Sequence, residues 1–345
     1  MAVTIREVAR RAGVSISTVS RALSGQQRVR AENLRKVQQI VNQIEFCPSA
    51  VAKSLVSRTA NAICLVLPKP TAKWVSNPFF MELIRGIVAR ANRSNYDIII
   101  SSGASEQEEL KEVSRLFRGG RVDGAILLSS RKEDAVIDFM KMNGYPFVLI
   151  GRSDKYDGIW SVDTDNRAAA GGAVNHLVTM GHKRIGFVSG PSNLVVSVDR
   201  MEGYKRALRE NGLTWHPEWV FEGELLLNSG YRSLSYFMNQ PDRPTALVVY
   251  DDLVALGVIR ALNKLEIKVP DDLALVSFNN IPLAELSIPP ISSIDIGIYH
   301  LGDTAAQVFI QNMQHANSEF GGPKRLIIPH ELIVRESSMI PIHIF

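Results

Sequence analysis

The chain has 345 residues, 46% of them apolar and 21% charged, with a net charge of +4. That length excludes one simple core and suits two or three domains, and the composition excludes an intrinsically disordered chain. The charge is uneven. Residues 1–60 carry ten Lys/Arg against three Asp/Glu, a local +7, and the remainder carries 29 against 32, or −3, so a polyanion is the expected partner of the first segment only.

The first predicted element lies in Val3–Leu23, VTIREVARRAGVSISTVSRAL. Thr4 with Glu7 has the spacing of a capping box, and Val3 with Val8 that of a hydrophobic staple. Ile5, Val8, Ala9 and Ala12 recur at helical spacing, and Gly13 suits a left-handed stop. Ser15 can cap a second helix with Val19, Ala22 and Leu23 on its inner face. Ile16, Ser17, Ser20 and Arg21 then fall on the outer face. A buried side that locks the helix to its partner, with a short outer face of small polar and basic groups, is what a groove-reading helix needs. A plain helical hairpin within a larger core is the other reading of this stretch.

After a turn at Ser24–Gln27, a third helix is predicted from about Ala31 to Ile44, with Leu34, Val37, Ile40, Val41 and Ile44 as its apolar stripe. Arg28, Arg30, Arg35 and Lys36 near its start either reach phosphates or face solvent. Pro48-Ser49 opens a further short helix through Leu55. So few residues do not hold a helix alone, so it needs a second copy or DNA as partner. Leu55 suits an apolar wedge between base steps, and a plain linker is the alternative.

From about residue 60, apolar runs alternate with amphipathic helices: Ala62–Leu67, 80–91, Ile98–Ile100, 106–118, Val122–Leu128, 133–143 and Phe147–Ile150. A second series starts near Ser161, with helices at 166–180, 199–211, 230–239 and 252–264. Its strands are expected at Ile185–Val188, Ala246–Val249 and Leu273–Phe278. Ile291–Ile296 is expected as a return strand, followed by a helix near 300–313 and strands at Arg325–Ile328 and Glu331–Val334. Such alternation predicts α/β architecture with two doubly wound parallel-sheet lobes. The expected division is 1–47 for the helical head and 48–60 for the hinge helix and linker. One lobe takes 61–161 with 293–322, and the other 162–292 with 323–345.

Ligands of open parallel sheets bind beyond the carboxyl ends of the strands. That rule selects Pro68–Phe80, including Trp74, Phe79 and Phe80, then Ser129–Arg131, Gly151-Arg152, Gly190–Arg200, Tyr250–Asp252 and Asn279-Asn280. Aromatic rings with planar polar groups suit a sugar, and a cleft between lobes is a usual ligand site. For Arg200, a salt bridge with Asp199 or Asp252 is the structural alternative. Of Phe79 and Phe80 one is expected in the core, because adjacent helix residues point apart.

Phosphate-loop, metal-pair and nucleophile-elbow motifs are lacking, so an enzyme is not expected, nor is a cofactor or metal. Cys47 and Cys64 have no metal-ligand spacing and suit free thiols. Residues 1–20 lack a signal-peptide core and no run reaches membrane-span length, so a cytoplasmic, nucleoid-associated location is expected, with no membrane partner. A stand-alone transport component would need an export signal and no basic head.

The pair VTIREVARRAGVSISTVSRAL and CPSAVAKSL, in this order and spacing, resembles the lactose/galactose-repressor family of bacterial transcription regulators. The resemblance extends over VDTDN (162–166), GHKRIGFVSG (181–190) and RPTALVVYDDLVALG (243–257). It implies two lobes like those of periplasmic sugar-binding proteins, crossed three times by the chain. It further implies that Ile16, Ser17 and Arg21 read bases, that Thr18 and Ser20 fix the helix on the backbone, and that Thr4, Ser15 and Arg28 complete the DNA-facing set. Ala52 and Lys53 would enter the minor groove of a palindromic operator and Leu55 would wedge it, in a homodimer. Phe79, Phe80, Arg152, Arg200 and Asn279 match effector positions, and Asp252 is expected near the same wall. Asn279 stands where many relatives carry Asp. Leu194, Val196 and Leu225 depart from the purine-sensing pattern, and LVVSVDR with SFNN suggests the maltose-regulator branch and a maltose-like effector, with a non-sugar metabolite or a phosphosugar as the alternative.

Overall fold

The computed structural model describes residues 4–23, 29–44, 46, 59–68, 77–128, 130–224, 226–314, 322 and 324–339. The chain divides into two compact units, residues 1–61 and 62–345.

The first unit contains α1 (Ile5–Ala12), α2 (Ile16–Leu23) and α3 (Ala31–Gln43). Val8, Val19 and Val37, one from each helix, are fully buried and meet in one small core closed by Phe46. Gly13 ends α1 at φ +66°, a conformation glycine adopts without steric cost. The capping box expected at Thr4 and Glu7 does not form. Thr4 stands at the N-cap with extended backbone and no side-chain cap bond. The Glu7 carboxylate is held instead by Arg10, at 2.7 and 3.0 Å, and Arg11, at 2.7 Å. Hydrogen bonding to these two guanidiniums lowers the Glu7 carboxyl to about 2.

The second unit runs through β1 (Ala62–Val66), α4 (Pro78–Arg93), β2 (Asp97–Ser101), α5 (Glu106–Arg118), β3 (Gly124–Leu127), α6 (Ala135–Asn143), β4 (Phe147–Ile150) and β5 (Trp160–Thr164). It continues with α7 (Asn166–Thr179), β6 (Ile185–Ser189), α8 (Val195–Glu210), β7 (Val220–Glu222), α9 (Leu227–Met238), β8 (Ala246–Val249), α10 (Asp252–Lys264), β9 (Ala274–Phe278), α11 (Pro282–Leu286) and β10 (Ser292–Asp295). The last elements are α12 (Ile298–Gln314), β11 (Arg325–Ile328) and β12 (Glu331–Ile333).

Two six-stranded sheets result, ordered β11-β5-β4-β3-β1-β2 and β12-β10-β9-β8-β6-β7. All pairings are parallel except β10 with β12. Central strands β1, β3, β6, β8 and β9 are buried along their whole length, as strands covered on both faces must be, which is why they read as continuous apolar runs. In the first lobe α4 and α12 pack at backbone distance. A Cβ on Gly86 would lie 2.2 Å from Tyr299 O, and one on Gly302 2.1 Å from Leu83 O.

The strand pairing divides the lobes differently from the expected boundaries. β5, expected in the second lobe from residue 162, pairs with β4 and β11 in the first sheet. β10, expected in the first lobe from residue 293, pairs with β9 and β12 in the second. β11, expected with the tail of the second lobe, lies in the first. Each of the three chain crossings therefore falls after a strand: between β5 and α7, between β10 and α12, and between β11 and β12. The strand β7 and the short helix α11 are additions to the expected elements.

Candidate functional site

In the first unit, Ser15 caps α2 as expected: its Oγ accepts the Thr18 N–H at 3.1 Å and lies 2.8 Å from the hydroxyls of Ser17 and Thr18. Val19 is fully buried, with Ala22 and Leu23 packed beside it. The opposite face carries Ile16, 46% exposed, with Ser17 and Arg21 exposed and Thr18 and Ser20 half-buried. The Arg21 Nε donates to Ser17 O at 3.2 Å, which lays the guanidinium along that face. An apolar side chain left in water at the start of a short helix, flanked by hydroxyls and a cation, is a surface that gains by burial against another molecule. Thr4 is exposed at the start of α1. Arg28, Ala52, Lys53 and Leu55 lie outside the described residues, as does the segment expected as hinge helix.

In the second unit the carboxyl ends of both sheets face one cleft, enclosing about 810 Å³ of empty space that is partly continuous with solvent. Phe79, Phe80, Arg152, Arg200 and Asn279, five of the six expected effector residues, line it. Phe79 and Phe80 meet edge-to-face at 4.9 Å, and Phe80 is the one buried in the core. Trp74, Ser129 and Leu225 lie outside the described residues.

Arg200, 3% exposed, is held on four sides. Its Nε donates to Asn166 Oδ1 at 3.0 Å and its Nη1 to Tyr250 O at 2.6 Å. The guanidinium carbon lies 4.1 Å from the Phe278 ring centre and 4.8 Å from that of Tyr250. Burial pulls its pKa below the ordinary guanidinium range. Asp199 and Asp252, the carboxylates considered as its ion-pair partners, are engaged elsewhere. Asn166 is itself fixed, because its Nδ2 donates to Asp163 Oδ1 and to Thr164 O, both at 3.1 Å. Asp163 takes Arg325 of β11 at 2.7 Å. A continuous hydrogen-bonded line thus runs from the edge of the first sheet, across a chain crossing, to Arg200.

Several contacts join the lobes across the cleft. Arg152 grips Asp199 with two bonds and also contacts Asp154, and these carboxylates raise its pKa. Asn77 Nδ2 donates to Asp251 at 3.2 Å. Backbone bonds link Lys132 N to Asn193 O at 2.9 Å and Val195 N to Ser130 O at 3.1 Å, around a bridge between Arg131 and Leu194. Arg131 faces away from the cleft lining and is buried against Glu109 and Asp134.

Asp252 does not line the cleft. It accepts from Ser277, from Ser293 at 2.7 Å and from Ile281 N at 2.8 Å, tying α10 to the ends of β9 and β10. Burial raises its carboxyl to about 7. The neighbouring Asp251 is the lining residue. As N-cap of α10 it accepts Leu253 N at 2.7 Å and presents its other oxygen to Asn279 Nδ2, also at 2.7 Å. Asn77, Asp163 and Asn166 also line the cleft and are not among the six expected effector residues. Asn77 and Asp251 share a legible signal: each is a capping residue immediately after a strand-end loop, where the rule of strand carboxyl ends already pointed.

Among the described residues no group of three or more His, Cys, Asp or Glu could hold a metal, and no helix is long and apolar enough to cross a membrane. Cys64, fully buried on β1, has its thiol pushed up to about 12 by burial.

A helix–turn–helix head followed by two parallel-sheet lobes around a polar-and-aromatic cleft defines a DNA-binding regulator with a ligand-type body. The comparisons agree in both parts. Residues 4–49 match the family profile of bacterial regulatory proteins, lacI family, and residues 174–338 that of the periplasmic binding protein-like domain. The chain is 32% identical over 339 residues to catabolite control protein A of Priestia megaterium, covering 98% of this chain and 100% of that protein. It is similar to a solved transcriptional regulator CelR–cellobiose complex, with 27% identity, a TM-score of 0.76 and coverage of 97% and 99%. The lac repressor dimer bound to operator and the anti-inducer ONPF shares the fold at a TM-score of 0.84 and 23% identity, over 99% and 100% of the two chains. The chain belongs to the lacI family of DNA-binding transcription regulators.

Proposed function

We propose that this regulator is a homodimeric repressor that binds a palindromic operator in the bacterial nucleoid and changes its grip when a small sugar-like effector enters the cleft. Two recognition helices related by a two-fold axis require two half-sites. Ile16, Ser17 and Arg21 are the base readers, with Thr18, Ser20, Ser15, Thr4 and Arg28 on the backbone. Ala52, Lys53 and Leu55 complete the grip in the minor groove. The cleft carries the regulatory half of the reading: the ring of Phe79, the fixed guanidinium of Arg200 and the amide of Asn279 all line it. Effector and operator each favour one lobe arrangement, so each changes the affinity for the other.

A maltose-like disaccharide is the favoured effector, supported by the cellobiose held by a 27%-identical relative. A thermal-shift screen of mono- and disaccharides, with purines as controls, tests this. A hit is then followed by operator gel shifts with and without the sugar. Arg200→Ala should lose the effector response. Undiminished sugar binding by calorimetry in that variant would remove Arg200 from the site.

A further inference from the structure

Resting on the reading of the cleft as the effector site, we infer that the effector is a hydroxyl-bearing molecule without an anionic group, and that phosphorylated and carboxylated sugars are excluded by charges already offset within the protein. The cleft lining carries five carboxyl or guanidinium side chains. Arg152, Arg200, Asp163, Asp199 and Asp251 leave it with two cations against three anions. Each already has a partner of its own. Arg152 is taken by both oxygens of Asp199 and by Asp154. Arg200 makes no direct ion pair among the described residues: it donates to Asn166 and the Tyr250 carbonyl, lies against two ring faces, and has its charge offset by the nearby carboxylates of Asp251, Asp163 and Asp252. Asp163 is matched by Arg325, and Asp251 by two amides and a backbone N–H. An anionic ligand drawn to Arg152 would have to pull it from Asp199, leaving a carboxylate that is 3% exposed with Arg167 alone, and one drawn to Arg200 would meet the three carboxylates of the lining. That is a costly exchange in a low-dielectric site.

The second observation says what the ligand must offer instead. Asn279 is 5% exposed, and its Oδ1 has no hydrogen-bond donor among the described residues. The orientation of this amide is set by chemistry. Asp251 can only accept, so the Nδ2 must face it, at 2.7 Å, and the oxygen must face away. The residue is held there at φ +100°, with its N–H bonded to Ile294 O at 2.8 Å. A non-glycine residue kept in that region stores strain of the kind found at ligand clamps. A buried carbonyl oxygen without a donor calls for a ligand O–H or N–H, which in a sugar is a hydroxyl. A phosphate or carboxylate oxygen, itself an acceptor, would be repelled by it and by the adjacent Asp251. Leu194, Val195 and Val196 close the same cleft with apolar surface, which is equally unsuited to a hydrated anion.

Calorimetry on the full chain with matched pairs tests the inference: glucose with glucose 6-phosphate, maltose with maltobionate, cellobiose with cellobionate. At least one neutral member should bind, and its charged counterpart about tenfold or more weaker. Asn279→Leu, which keeps the volume and removes the acceptor, should weaken that neutral ligand by about tenfold. A charged member binding as tightly as its neutral parent overturns the inference while leaving effector control intact. So does an unchanged affinity in a folded Asn279→Leu variant. Binding by no member of either set, of sugars or of their acids, overturns the sugar-effector reading together with it.

Discussion

Arg152 of the first lobe and Asp199 of the second are joined across the cleft by two hydrogen bonds of 2.7 Å each. Asp199 also accepts from Arg167 at 2.9 Å, so the carboxylate keeps one partner if the other is removed. Arg152→Ala should therefore cost about 2 kcal/mol, below the full penalty of an orphaned buried charge. Urea unfolding followed by circular dichroism checks the magnitude. A change below about 0.5 kcal/mol would mean the pair is not what holds the lobes at this separation.

Asn166 lines the cleft and holds the Arg200 Nε through its Oδ1 at 3.0 Å, so part of its role is positioning. Asn166→Ala should weaken effector binding by about tenfold with a smaller effect on melting temperature, since one hydrogen bond to a charged group is lost. Asn166→Asp should be worse, because it sets a second carboxylate against Asp163 at the present 3.1 Å contact. Equal effector affinity in wild type and Asn166→Ala would show that the Phe278 and Tyr250 rings suffice to orient the guanidinium.

Asp252 makes stability depend on pH in a defined direction. Its folded pKa, about 7, lies above the unfolded carboxylate value because burial penalises the charge. The folded state therefore binds the proton more tightly, and this contribution is complete below about pH 4 and lost as pH rises through 7. Asp251 and Asp163 are raised for the same reason and add to the trend. His176 and His182, lowered by burial, oppose it on the acid side. Asp252→Asn should flatten the melting temperature between pH 4 and 7. An unchanged slope would assign the trend to the other carboxylates.

Two positions three residues apart in α2 should separate binding from folding. Ile16→Ala removes an exposed side chain and should change head stability by less than about 0.5 kcal/mol while weakening operator binding by about tenfold. Val19→Ala empties a fully buried site and should destabilise the head by about 2 kcal/mol. Titration of the operator in gel shifts and thermal melts of the two variants distinguish them. Matching losses in both assays for Ile16→Ala would place that residue in the core.

Local pattern carried much of this structure. The helices α5 and α10 coincide with the amphipathic stretches expected at 106–118 and 252–264, since their apolar stripes and caps are written into neighbouring residues. Sheet membership is not local. Nothing within Ser292–Asp295 says that it pairs with β9 and β12, so the lobe boundaries shifted. The same distinction separates Asp251 from Asp252. Adjacent in sequence, they stand at the cap and in the first turn of α10, and only the packed position of β9 shows that one faces the cleft and the other the sheet ends. The capping box at Thr4 failed because Arg10 and Arg11, one turn on, compete for the same carboxylate.

The three chain crossings have a consequence for biosynthesis. The second sheet receives β10 and β12 only after the first lobe's β5 has been made, and the first sheet receives β11 only after nearly all of the second is finished. Neither sheet has its last edge strand until residues 325–333 have been made, whereas the sequences of α1, α2 and α3 are complete by residue 43. During translation there is accordingly an interval in which the DNA-reading head can fold before the body that controls it exists.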